Sequence, residues 1–525
     1  MRNVRDHLTG DLFERWGYLG EKRLKRLRES WPEVFRKNVI GKLPTAKLAV
    51  EFDPEMGRPT LDIPVMIGAL ILQQIFNLTD QETVESVAFN IAWQYALDVR
   101  SGAELEMTDR TLRNYRKLVI DLGLDEVIFA EVTDELIKAF KVDTSKQRMD
   151  STAFKSSMRE LTRLGTFVET ISKFIRELKR RHPVEYERID KEVIRKYVDR
   201  EGEGCFGQRP IETRKRLPEA AETLYELIDT FRGTAAEGTE SFGLMKRVFE
   251  EQCEVEDDGK LRIKAPEEVG CENVNNPSDP DSTYNGYKGQ GYTAQVLETY
   301  TEDVHGEKTQ PDIITYVAIN KMTQMDTQAL KPALDEVEER GIKPEVVIAD
   351  TPYGAYANRI EALNRGVEIV APSQPLQQNE NGKLSLEDFE LDESGLVVKC
   401  PAGYAPKSTN AMKSHMDARF DKAICLSCDL RYHCPCGIQV VKGKKPRIWY
   451  RYSRVGHAGR LRYEKTDKFR DKYRWRAGIE GTMSRLKNWL KLDNLRVRGR
   501  PAVSLALRLK ALGLNILRCA VYMAT

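Results

Sequence analysis

The sequence predicts a mixed α/β fold: a mixed-sheet core with a helical region before it and two insertions within it. Three observations carry that expectation. Short apolar runs that read as strands alternate with helical stretches between residues 147 and 370, helical periodicity dominates before them, and two long segments inside the alternation differ in texture. At 525 residues, 41% hydrophobic and 31% charged, the chain is several domains long and too apolar for wholesale disorder.

Taken in order, residues 1–142 read as helical. Pro64 to Leu97 mixes apolar residues at three- and four-residue spacing with the starter Asp80-Gln81-Glu82, which suggests two packed amphipathic helices. Thr108-Asp109-Arg110-Thr111 reads as a capped start to a helix bearing Arg110, Arg113, Arg116 and Lys117. Such a helix suits a DNA backbone or a salt-bridged surface equally. Gln147 to Phe154 reads as a strand. A charged helical segment follows, with Phe167, Ile171, Phe174, Ile175 and Leu178, then Tyr186, Ile189, Val193 and Tyr197, at helical spacing. These are packing stripes of an insertion and carry no chemistry. After a turn-rich stretch at 275–284, residues 291–297 and 313–319 read as strands, 326–341 as a helix, 345–349 as a strand, 353–365 as a helix and 367–370 as a strand.

Two aspartates end predicted strands: Asp150 in Arg-Met-Asp-Ser-Thr and Asp350 in Val-Val-Ile-Ala-Asp. A carboxylate at a strand end is held rigidly at a sheet edge and suits a hard divalent cation, although such residues also cap the following turn. A third carboxylate, Glu480, lies among Tyr473, Arg476 and Lys487. At about 100° per residue these four fall within about 60° on one helix face. Two cations and a tyrosine beside a carboxylate would let one stripe ligate metal and grip phosphate. Ordinary ion pairs on a surface helix give the same spacing.

At these residues the sequence resembles the DDE transposases of bacterial insertion sequences. Tyr473, Arg476, Glu480 and Lys487 match the Y-x2-R-x3-E-x6-K signature of one branch at every position. Gly57-Arg58-Pro59, Thr108-Asp109-Arg110-Thr111, Asp279-Pro280-Asp281, Ala349-Asp350-Thr-Pro-Tyr353-Gly354 and Arg498-Gly499 are also similar to that branch. The resemblance implies an RNase H-like catalytic domain over 143–525, with a helical insertion at about 156–270 and a cysteine-rich insertion at about 374–445. It implies a helical domain for DNA binding or dimerisation over 1–142. By the same resemblance, Asp150, Asp350 and Glu480 form the catalytic triad and hold two Mg²⁺ or Mn²⁺ ions. Arg476, Lys487 and Tyr473 then face DNA phosphates or bases. The implied activity is binding of terminal inverted repeats, cleavage there, and strand transfer into target DNA, with a homodimer in synapsis. A catalytically silent DNA-binding derivative and a metal nuclease of the same fold are the competing readings.

Charge supports a polyanionic partner. Residues 441–525 hold 23 Lys and Arg against 5 Asp and Glu, a local balance of +18 that leaves −16 on the other 440 residues and hides inside a net charge of +2. Arg496 and Arg498 follow the signature closely and are candidate DNA contacts. Lys442, Lys444, Lys445, Arg447, Arg451 and Arg454 alternate with Trp449, Tyr450 and Tyr452, a mixture suited to phosphate contact and base stacking, or to strand packing.

Five of the nine cysteines fall between 400 and 436. Cys400, Cys425, Cys428 and Cys434 make a natural tetrahedral set for a structural Zn²⁺, with Cys436 or His433 able to replace one. Cys205, Cys253, Cys271 and Cys519 are scattered thiols. No Walker A or dinucleotide fingerprint is present, so no nucleotide cofactor is expected. No apolar run long enough to span a bilayer and no secretory leader is visible, which gives a cytoplasmic, nucleoid-associated expectation.

Overall fold

Two threonines start helices where the sequence places them. The Thr79 hydroxyl accepts from the Glu82 backbone N–H while the Glu82 carboxylate accepts from that of Thr79, a capping box that opens helix Asp80–Phe89. Thr108 caps helix Asp109–Asp121 by accepting from the Thr111 N–H. The computed structural model describes residues 1–9, 15–99, 106–199, 210–257, 259–302, 308–373 and 383–524. Cys205 and the expected start of the cysteine-rich insertion at 374 lie outside them.

The chain divides into two compact units, each built from separated segments: Met1–Asp143, Ser151–Gln324 and Gly481–Thr525 in the first, Thr144–Asp150 and Met325–Glu480 in the second. In the first unit, the stretch expected as two amphipathic helices forms three: Ile63–Phe76, Asp80–Phe89 and Ile91–Leu97. The leading one is buried on nearly every side, with only Gln74 and Phe76 escaping, so an amphipathic reading was too narrow. The 25-residue helix Arg500–Ala524 packs against it, and Gly513 permits the approach, since a Cβ there would run into Ile75. Lys510 on that helix is fully buried and donates to the carbonyls of Leu490 (2.5 Å) and Gln74 (3.2 Å) and to Asn77 Oδ1 (3.2 Å). Among the described residues no single helix is long and apolar enough to cross a membrane.

His7 adds a second buried polar knot to this unit. Its Nε2 lies 2.5 Å from Asp62 Oδ2 and its Nδ1 3.3 Å from Asp98 Oδ2, with Arg36 3.0 Å from the other Asp98 oxygen. The helical insertion has a core of its own, in which Phe167, Ile171, Phe174, Ile175 and Leu178 meet Ile189, Tyr197, Leu224 and Phe231, as the stripes predict. At its two ends, Ser156 donates to the fully buried Asp279 at 2.5 Å, and Tyr292 donates to the same carboxylate.

The principal sheet has six strands: β1 (Lys146–Phe154), β2 (Thr283–Asn285), β3 (Gly289–Thr299), β4 (Ile314–Lys321), β5 (Val346–Ala349) and β6 (Glu368–Val370). Their order is β2-β3-β1-β5-β6, with β4 also on β3. β3 and β4 are antiparallel, whereas β1, β5 and β6 run parallel, so the sheet is mixed as expected. In the second unit, helix Leu330–Glu339 precedes β5, and helix Tyr356–Asn364 makes the crossover that the parallel pair β5 and β6 requires. The cysteine-bearing segment builds a separate three-stranded sheet from Ser408–Ala411, His415–Arg419 and Arg447–Arg451.

Candidate active site

The register of the parallel strands positions the two aspartates. Met149 pairs with Ala349, which places Asp150 and Asp350 next to each other in register. Asp350 follows the last residue of β5, whereas Asp150 lies in the middle of β1, which continues to Phe154 and so corrects the expectation that both aspartates end strands. Asp350 also does what a strand-end aspartate does by default: its Oδ1 accepts from the Thr351 N–H at 2.8 Å and caps the turn Thr351–Gly354. That leaves Oδ2 to face the site. Glu480 stands on helix Ala477–Ser484.

Arg476 draws the three together. Its Nη2 lies 3.1 Å from Asp150 Oδ2 and 3.5 Å from Asp350 Oδ2, and its Nη1 donates to Glu480 Oε1 at 3.0 Å. Burial opposes the charged guanidinium, but Asp150 and Asp350 outweigh it and hold its pKa above the usual value. The third donor, Nε–H, is buried without a hydrogen-bond partner. Asp150 is largely enclosed, whereas the Glu480 side chain is 66% exposed. The Tyr473 ring stacks on Phe469 at 5.4 Å, which occupies one of its faces. Burial raises its phenol pKa, and the three nearby carboxylates add to that against Arg476.

One supporting residue went unread in the sequence. Arg148 shares the strand face of Asp150, two residues earlier, and donates to the Trp475 carbonyl at 3.0 Å. Its guanidinium lies where a Cβ on Gly478 would stand. The available signal was an arginine two residues before Asp150 on the same strand face and a glycine inside the signature.

The expectation of one continuous helix for the signature is corrected. Arg474–Arg476 is a 3₁₀ turn, Ala477–Ser484 is α-helical and Arg485–Trp489 is a π turn. These wind at different angles per residue, so the single 100° stripe does not hold. Lys487 lies 3.8 Å from Asp493 in the first unit. Arg496 and Arg498 belong to that unit as well. Arg496 borders a cavity of about 220 Å³ with Asp80 and Arg116, and Arg498 borders a groove with Lys155 and Arg159. The N-terminal basic helix is partly consumed by ion pairs, Arg116 with Asp80 and Arg113 with Asp109 at 2.8 Å.

Cys400, Cys425, Cys428, Cys434 and Cys436 line one cavity of about 20 Å³, room for a single small occupant, while His433 is exposed and outside its lining. Cys434 is pulled down to about 6 by the Cys436 thiol, against burial and with help from the Gly437 and Cys436 backbone N–H groups. Cys425 is pushed up to about 11 by burial and by its neighbouring cysteines. Among the described residues, no group of three or more Cys, His, Asp or Glu side chains stands in place to hold a metal ion. Of the aromatics in the basic stretch, Tyr450 packs into the core of this segment, whereas Trp449 is half exposed beside Arg447 and Arg451.

A mixed sheet with aspartates on two adjoining strands and a helix-borne glutamate, gathered on one cation, is an arrangement of the class that carboxylate-triad enzymes carry. Comparison with known families makes the class particular. Residues 399–520 match the Transposase DDE domain, and residues 27–118 match the Transposase domain (DUF772). Residues 399–520 thus carry a transposase DDE domain, which indicates a DDE-type transposase enzyme and implies an RNase H-like core and a DNA substrate. The first match contains Tyr473, Arg476, Glu480 and Lys487, and both aspartates lie outside it. No curated protein and no solved structure matches the chain.

Proposed function

We propose that this transposase binds the terminal inverted repeats of its own insertion sequence, cleaves the DNA there and joins the freed ends to target DNA. It would belong to the branch marked by the Y-x2-R-x3-E-x6-K spacing. The observation that carries the reading is the convergence of Asp150, Asp350 and Glu480 on Arg476.

Asp150, Asp350 and Glu480 would hold two Mg²⁺ or Mn²⁺ ions, which activate a water or 3′-hydroxyl and stabilise the leaving oxygen. By donor type the set suits these ions, being three hard carboxylates with two on adjoining strands, although with Arg476 between them they do not stand grouped to hold a metal. The Thr351 N–H fixes which edge Asp350 presents. The buried, unpartnered Nε–H of Arg476 suits a phosphate oxygen of the scissile strand. Tyr473 offers its phenol and remaining ring face to the same strand, and Lys487, Arg496 and Arg498 add positive charge for flanking DNA. Two ends brought together call for a homodimer. A structural Zn²⁺ would sit among Cys400, Cys425, Cys428 and Cys434, whose soft thiolates suit it once they turn into their shared cavity.

The test is Glu480→Gln on a DNA fragment carrying the element's ends. Cleavage in Mg²⁺ should fall at least ~10²-fold with end binding retained, consistent with the size of electrostatic terms at such sites. Unchanged cleavage would remove the triad.

A further inference from the structure

One guanidinium serves three carboxylates that come from two strands and a helix. Asp150 Oδ2, Asp350 Oδ2 and Glu480 Oε1 all face Arg476, at 3.1, 3.5 and 3.0 Å. Three like charges do not assemble without a counter-charge, because each raises the cost of ionising the others. The parts around Arg476 are fixed. Asp350 is tethered through its other oxygen by the Thr351 N–H, and the backbone just before Arg476 is held by Arg148 on the Trp475 carbonyl. The Arg476 guanidinium, by contrast, is held by the three carboxylates that a metal ion would take.

We infer that Arg476 is the built-in counter-cation of the triad, and that a divalent ion binds only by displacing its guanidinium. The inference rests on reading the triad as a metal site. Mg²⁺ and Mn²⁺ need those same oxygens at close range, and a guanidinium cannot lose its proton to make room. Two cations competing for one set of lone pairs repel, so the side chain must leave. Displacement turns out a guanidinium that has lost its carboxylate partners, next to the position that a phosphate of bound DNA would take. Metal loading and the availability of Arg476 to DNA are then one linked equilibrium, and by reciprocity DNA that captures Arg476 tightens metal binding.

The experiment uses the full chain with Mn²⁺ as probe and no DNA. Free Mn²⁺ is followed by electron paramagnetic resonance and thermal unfolding is recorded in parallel. Arg476→Gln should bind Mn²⁺ about 10-fold more tightly than the parent, within the range usual for linked sites. It should melt below the parent in chelator and rejoin it at saturating Mn²⁺. Arg476→Lys, which keeps the charge but reaches fewer oxygens, should fall between the two and serves if the glutamine variant folds poorly. With DNA added and Ca²⁺ as a second probe, the parent should bind the ion more tightly and Arg476→Gln should show no such gain. Unchanged or weaker Mn²⁺ binding in both Arg476 variants, with Asp350→Asn still abolishing it, overturns the counter-cation inference and leaves the metal site standing. Mn²⁺ binding that Asp350→Asn does not affect overturns the metal site itself.

Discussion

Gly478 lies directly against the guanidinium of Arg148, so closely that no Cβ fits at position 478 while Arg148 keeps its bond to the Trp475 carbonyl. The pair joins the strand of the first aspartate to the helix of the glutamate. Gly478→Ala should displace Arg148 or lift the helix, costing about 1–3 kcal/mol of stability as overpacking does, with cleavage falling further than stability alone explains. Arg148→Ala should recover part of the loss in the double variant, so the two changes are non-additive in urea unfolding and in cleavage rate. Additive effects would mean that the contact is incidental.

His7 predicts a pH dependence. Burial opposes its charge, but the hydrogen bonds to Asp62 and Asp98 win and raise its pKa from 6.5 to about 9. The folded chain keeps the proton where the unfolded chain loses it. The stabilisation is therefore complete below pH 6.5 and fades as pH climbs through 9, a span worth at most roughly 3 kcal/mol. Lys510, lowered by burial to about 7, pulls in the opposite direction above pH 7. Melting curves of the parent and His7→Asn isolate the histidine: the difference between them should shrink from pH 6 to pH 9.

Lys510 makes a further prediction. It satisfies two carbonyls and an asparagine oxygen inside an apolar helix interface. Lys510→Met fills the same volume and leaves those three acceptors without a donor, so unfolding free energy should drop by about 2–5 kcal/mol. A neutral or stabilising result would show that water replaces the ammonium.

For the cysteine cavity, elemental analysis of purified protein should return about one zinc per chain, as one tetrahedral site requires. Cys400→Ser and Cys425→Ser should lose it. His433→Ala should not, because that side chain is exposed and outside the cavity.

The strand and helix order of the sheet was legible because runs of strand length alternate with helical periods, whereas the three carboxylates, candidates by residue type and position, were joined as a triad only by the family resemblance, and Asp150 lies inside its strand rather than at its end. What stayed hidden depends on geometry that spacing does not encode. The phase argument for Tyr473, Arg476, Glu480 and Lys487 assumed one helix type, and a 3₁₀ turn and a π turn on either side of Ala477–Ser484 break it. Arg476 reads as a phosphate ligand by residue type, and only the fold reveals that three carboxylates reach it first. Lys510 carries a charge that composition assigns to a surface. The capped helix at Asp109 was visible, but not that Asp80 would engage Arg116.

The clasp of Ser156 and Tyr292 on Asp279 has a consequence for how such a chain can change over generations. The hydroxyl and carboxylate of Ser156 and Asp279 meet at 2.5 Å although 123 positions separate them in sequence. The excursion between them starts and finishes at one spot and carries its own apolar interior. Closing a longer or shorter excursion at that spot costs little, because the entropy of closure grows only with the logarithm of length. The helical segment is thus a cassette, free to be resized, replaced or lost while the strand that holds Asp150 keeps its place.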